Sequence, residues 1–148
     1  VDSNKESLEK EILEEFMLHY PDFPKGKLVK SESPDFILKL GPRKAIGIEI
    51  TTLADPVVSQ RLEAGENRSD RRVMLEEKVK NIIRMKEEKL RIYRKKRSDY
   101  YWLIIACDIK RFLAPFRLPV KVDTWCISSE FNRVFLFESA SKKVYILT

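Results

Sequence analysis

Two carboxylates, a lysine and a further glutamate carry the chemistry legible in this sequence. Asp35 follows Pro34 and opens an apolar run from Phe36 to Leu40, and Glu49 interrupts a second run, Ile46-Gly47-Ile48-Glu49-Ile50-Thr51. Strand side chains alternate in direction, so the three isoleucines take one face and Gly47, Glu49 and Thr51 take the other. A charge set among β-formers is costly to bury unless it is paired or binds a cation. Between the two runs, Gly41-Pro42-Arg43-Lys44 reads as a hairpin turn. A hairpin closing there brings Asp35 near the Glu49 to Thr51 end of its partner strand. Two carboxylates converging at a strand end are hard oxygen ligands, suited to Mg²⁺ or Mn²⁺. The plain alternative is a surface hairpin whose Asp and Glu are solvated.

Helical projection adds two more charged groups. Leu75, Val79, Ile82, Ile83, Leu90 and Tyr93 form one apolar face of a long helix, pointing at roughly 230° from Val73, and Lys86 lies at roughly 220°. A lysine in the middle of an apolar face must snorkel outward or meet an anion. The sheet carrying Asp35 and Glu49 is where this face is expected to pack. On the first helix Leu8, Ile12, Leu13, Phe16, Met17 and Tyr20 point at roughly 95° from Leu8, with Glu9 at roughly 100°. Glu9 is therefore expected to be buried or half-buried, with Glu6 next in line. The rival explanations are a lysine stem covering apolar surface, and a glutamate favoured by the helix dipole.

The elements that must position these groups follow from punctuation and periodicity. Ser3-Asn4-Lys5-Glu6 reads as a capping box, and Pro21 and Pro24 end the helix that follows near His19. His19 itself suits a C-terminal capping role. Lys27 to Lys30 predicts a short strand, ahead of better ones at Phe36 to Leu40 and Ala45 to Thr51. Asp55-Pro56 predicts a short helix to about Leu62, Ala64 to Ser69 a loop, and Asp70 to Lys96 the long helix. Tyr100 to Cys107 reads as a central strand buried on both faces. Lys110 to Leu118 reads as a loop, and Asp123 or Thr124 as the cap of a short helix to Glu130. Val134 to Glu138 and Val144 to Leu147 predict strands joined by a turn at Ala140 to Lys143. This alternation predicts an α/β fold, a mixed central sheet flanked by helices, in a single domain over residues 1–148.

Ser33-Pro34-Asp35-Phe36 followed by Gly47-Ile48-Glu49-Ile50-Thr51 resembles the PD-(D/E)XK nuclease superfamily. That resemblance implies a restriction-endonuclease-like αβββαβ core over about residues 3 to 138. It implies a Mg²⁺-dependent nuclease acting on DNA, with Asp35 and Glu49 as metal ligands. Thr51 stands where the family carries a lysine two residues after the Glu. In some branches that lysine comes from the following helix, and Lys86 in Ile83-Arg84-Met85-Lys86 fits that pattern. An additional acidic residue on the first helix, near the metal, is also common there, and Glu9 is the candidate, expected to support a metal directly or through water. The family permits homodimers. The competing class is a catalytically inactive domain of the same fold that binds nucleic acid or a protein partner, and the threonine departure feeds it.

Composition is compatible with these readings. The 148 residues are 43% hydrophobic and 35% charged, with net charge +6. Residues 71–97 hold 12 Lys or Arg and 4 Asp or Glu, a local 12 − 4 = +8. Such a segment is a footprint for polyanions or a solvated helix face. Arg94, Lys95, Lys96 and Arg97 at its end are the residues expected to meet phosphates. No segment could span a bilayer, so no membrane partner is expected. With one histidine and two cysteines, neither in a CxxC motif, a Cys/His zinc site is nearly excluded. Cys107 and Cys126 are expected to be buried and reduced, in a cytoplasmic protein. Trp102 and Trp125 are expected in the core rather than stacked on bases.

Overall fold

Strand and helix periodicity divide the apolar side chains between two cores, one on each face of a single sheet. The computed structural model describes residues 2–53, 68–94, 100–107, 125–139 and 141–148, with the backbone alone for residues 2–4 and 68–75. Helix α1 (Asp2–His19) precedes strands β1 (Lys27–Lys30), β2 (Phe36–Gly41) and β3 (Lys44–Thr52). Helix α2 (Arg68–Tyr93) precedes β4 (Tyr100–Cys107), β5 (Arg133–Glu138) and β6 (Lys143–Ile146). The six strands lie in chain order across one sheet. β1, β2 and β3 form an antiparallel meander. β3, β4 and β5 run parallel, and β6 returns antiparallel to β5. Parallel neighbours need a long crossover, and α2 lies in the connection from β3 to β4. The architecture is thus α/β with a mixed sheet, as expected.

On one face, Ile46, Ile48 and Ile50 join Phe36, Leu38, Trp102, Ile104, Phe135 and Phe137 beneath α1 residues Ile12, Leu13 and Phe16. The Phe16 ring lies 5.0 to 6.2 Å from those of Phe135, Tyr20, Phe137 and Phe23. On the other face, Tyr101, Leu103, Ile105, Val134 and Leu136 pack against Val79, Ile82, Ile83, Leu90 and Tyr93 of α2. β4 is buried from Tyr101 onward because it lies between β3 and β5 and is covered on both sides.

Several expectations need correction. Residues 125–130 form no helix. Tertiary hydrogen bonds claim that backbone instead: Ile127 N donates to Leu147 O at 2.7 Å, and Glu130 N donates to Glu87 Oε2 at 2.7 Å. α1 is already helical at Asp2, which puts Ser3 inside the first turn rather than at the cap. α2 starts at Arg68, so the last two residues of the expected loop are helical. Met17 lies at the rim of its apolar stripe, 37% exposed, and Cys126 is exposed while Cys107 is buried. Trp102 is a core residue, and Trp125 is half-buried against the α2-side core. His19 Nδ1 lies 2.9 Å from Glu15 O, the expected C-terminal role. The expected helix at Asp55 to Leu62, the loop at Lys110 to Leu118, and Lys95, Lys96 and Arg97 lie outside the described residues.

Candidate functional site

The β2–β3 register fixes the central pair. Phe36 pairs with Ile48 and Ile37 with Gly47. One step further along the same antiparallel register sets Asp35 opposite Glu49, and opposed residues of such a ladder point to the same face. For Glu49 that is the α2 face, since it pairs with Leu103 on β4. Both acids are buried, Asp35 at 8% and Glu49 at 7% exposure.

Asp35 is held firmly. β3 continues past the end of β2, and Ile50 N donates to Asp35 Oδ2 at 2.8 Å. The carboxylate thereby takes an N–H that a longer β2 would have satisfied. The Asp35 carbonyl accepts from Ser31 N at 2.9 Å and from Lys30 Nζ at 3.2 Å. Gly47 closes the packing beside it. A Cβ at that position would stand 2.8 Å from Pro34 Cγ and 2.8 Å from Tyr101 Cδ1, so only glycine lets both rings approach the strand.

Lys86 reaches this pair from α2, its Nζ 3.4 Å from Glu49 Oε1 with 17% of its side chain exposed. Of the two outcomes open to a lysine on an apolar helical face, Lys86 therefore meets an anion. One ammonium does not neutralise two neighbouring carboxylates. Burial first, and the Asp35 carboxylate second, push the Glu49 carboxyl up to about 7 against the opposing pull of Lys86.

Tyr93 completes this side of the site. Its ring is buried, 5.6 Å from that of Tyr101. Burial and then the Glu49 charge push its phenol upward. Although the hydroxyl is near enough for Glu49 to act on it, no group among the described residues meets it in hydrogen-bonding geometry. A buried hydroxyl without a partner costs roughly 1–3 kcal/mol.

Glu9 is buried as expected, at 6% exposure. Its carboxylate faces Lys30, whose Nζ lies 3.5 Å from Glu9 Oε2. Burial first and the Asp35 charge next raise its carboxyl, while Lys30 and Lys5 lower it. Among the described residues, no three His, Cys, Asp or Glu side chains gather as a metal-binding group. Glu9 thus senses Asp35 without joining the pair in a three-ligand cluster. Thr51, half-buried on β3, follows Glu49 by two residues on the same face.

The basic end of α2 is partly committed elsewhere. Arg94 Nη2 lies 3.1 Å from Glu130 Oε1, and Arg91 Nε lies 3.0 Å from Glu130 Oε2. Glu87 accepts from Ser129 Oγ at 2.8 Å. These bonds tie α2 to the segment entering β5.

Two site residues escape a reading of the sequence. Lys30 looks like the end of a short edge strand, and its proximity to Asp35 and Glu9 exists only once β1 pairs with β2. Tyr93 looks like one more apolar-stripe residue. The available signal was its position seven residues after Lys86, two turns along the same helical face.

A hydrated divalent cation suits this donor set. Mg²⁺ is commonly held by one or two carboxylates together with waters and substrate phosphates. Two opposed acids, short of positive charge, beside an unsatisfied hydroxyl are an arrangement that such a cation would relieve. Comparison with protein-family models, curated proteins and solved structures finds no match to this chain.

Proposed function

We propose that the chain is a Mg²⁺- or Mn²⁺-dependent nuclease of PD-(D/E)XK type that hydrolyses phosphodiester bonds of DNA. The observation that carries this reading is the buried, opposed pair Asp35 and Glu49 with the Lys86 ammonium 3.4 Å from Glu49. The element order from α1 through β4 supports it, being that of an αβββαβ core.

Asp35 and Glu49 would hold the cation. When bound, it polarises a phosphoryl oxygen and lowers the pKa of a coordinated water. Lys86 holds a positive charge beside Glu49, where it steadies the nucleophile and the negative charge that develops on oxygen. It takes over the work that Thr51, a neutral hydroxyl, cannot perform. Lys30 anchors the Asp35 backbone, and Glu9 keeps Lys30 in place and supports a cation at most through water. The Asp35 bond from Ile50 N fixes one carboxylate in advance, so little reorganisation remains for the reaction. The free cysteines suit a reducing, cytoplasmic setting.

The test is cleavage of double-stranded DNA, single-stranded DNA and RNA with Mg²⁺, with Mn²⁺ and with chelator. Metal-dependent cleavage lost in Asp35→Ala and Glu49→Ala is the expected result. Cleavage that survives either substitution refutes the assignment. The second reading, an inactive domain of the same fold, is favoured by Thr51 and by the absence of a third acidic ligand among the described residues. It predicts nucleic-acid or protein binding without cleavage under any of these conditions.

A further inference from the structure

Among the described residues around the carboxylate pair, Tyr93 is the one whose polar atom is buried and unspent. Its side chain belongs to the α2-side core, with the residue 4% exposed and its ring against Tyr101. Tyr101 pairs with Gly47, two residues before Glu49 on the same face of β3, so the Tyr93 ring stands beside the carboxylate pair. Its hydroxyl comes near enough to Glu49 to interact with it, yet makes no hydrogen bond of good geometry with any described residue. A phenylalanine would fill the same space without the cost of burying a hydroxyl. The other polar groups of the site are engaged: Lys86 with Glu49, Asp35 Oδ2 with Ile50 N, and Lys30 with Glu9 and the Asp35 carbonyl.

We propose that Tyr93 is a positioning residue of the cation site, its hydroxyl oxygen accepting a hydrogen bond from a water of a hydrated divalent cation held by Asp35 and Glu49. This rests on the metal-site reading above and extends it to a residue outside the motif. Water on a divalent cation is a strong donor whose own lone pair is occupied by the metal, so its partners must be acceptors. A phenol oxygen is an acceptor, and the carboxylates alone cannot satisfy every water of a Mg²⁺ shell. Second-layer partners of this kind orient metal-bound groups, and losing one commonly weakens metal binding about 10–100-fold.

The experiment is Mn²⁺ titration by calorimetry of the whole chain, as wild type, Tyr93→Phe and Asp35→Ala, with melts of each protein free of metal. Tyr93→Phe should bind Mn²⁺ about 10-fold or more weakly than wild type. Its metal-free melt should be unchanged or higher, because the substitution removes an unpartnered hydroxyl. Equal Mn²⁺ affinity in wild type and Tyr93→Phe overturns the proposal and leaves the Asp35/Glu49 site standing. A lowered metal-free melt overturns it too, since the hydroxyl would then serve the fold. Wild type that binds no Mn²⁺, or Asp35→Ala that binds it as tightly as wild type, overturns the metal site itself and this inference with it.

Discussion

Replacing Glu49 by glutamine should make the metal-free protein more stable at neutral and alkaline pH. The Glu49 carboxyl is held at about 7 by burial and by Asp35, against 4.5 for an ordinary glutamate. Between those values the folded chain holds a proton that the unfolded chain has released. Stability therefore falls as pH rises from about 4.5 to about 7 and levels off above, the reverse of the usual salt-bridged acid. At roughly 1.4 kcal/mol per pH unit, the ionised carboxylate costs the metal-free fold about 3 kcal/mol. That figure already contains the favourable pull of Lys86. Glutamine keeps the shape, offers an oxygen to Lys86 and carries no charge to repel Asp35. Near pH 4 the two proteins should melt together. At pH 8 the variant should melt about 6–12 °C higher, given about 2–4 °C per kcal/mol for a chain of this size. Urea unfolding at a series of pH values gives the free-energy difference directly. Adding Mg²⁺ or Mn²⁺ at pH 8 should raise the wild-type melt and leave Glu49→Gln unmoved. Stability curves that stay parallel from pH 4 to pH 8 would refute the claim that Lys86 leaves the Glu49 charge only partly compensated.

Three other outcomes follow from the same geometry. Gly47→Ala should destabilise the fold by about 1–3 kcal/mol by overpacking, and should also weaken Mn²⁺ binding, because displacing Pro34 displaces Asp35; an unchanged melt would show that the Pro34 and Tyr101 rings yield freely. Lys86→Ala should slow single-turnover cleavage while leaving Mn²⁺ affinity largely intact, since it removes charge stabilisation rather than a ligand; equal loss in both would make Lys86 a structural counter-ion. If residues 71–97 bind DNA, affinity should fall with salt, and reversing Arg94, Lys95, Lys96 and Arg97 to Glu should flatten the log–log slope by up to about 0.9 for each phosphate that is no longer neutralised; a slope identical to wild type would assign Arg94 to its Glu130 pair alone.

Much of the layout was legible in the residues themselves. Alternation alone put Ile46, Ile48 and Ile50 on one face and Glu49 on the other, because a strand's period of two is set by the backbone. The 3.6-residue period of a helix likewise placed Lys86 and Glu9 on the apolar stripes of their helices, while the partners that hold them there came from the fold. The hairpin turn at residues 41–44 brought Asp35 towards Glu49, because an antiparallel ladder has a register once its turn is known. These are local rules, and they hold wherever packing does not oppose them. Other features are long-range and became visible only in the folded chain. Residues 125–130 are not helical because Leu147 and Glu87, distant in sequence, take their backbone N–H groups. Lys30 meets Glu9 and the Asp35 carbonyl only after β1 has paired with β2 beneath α1. The unsatisfied hydroxyl of Tyr93 is a property of the space between α2 and the sheet. So is the raised carboxyl of Glu49. Both depend on which partners burial removes, and burial belongs to the assembled structure and not to any one segment of sequence.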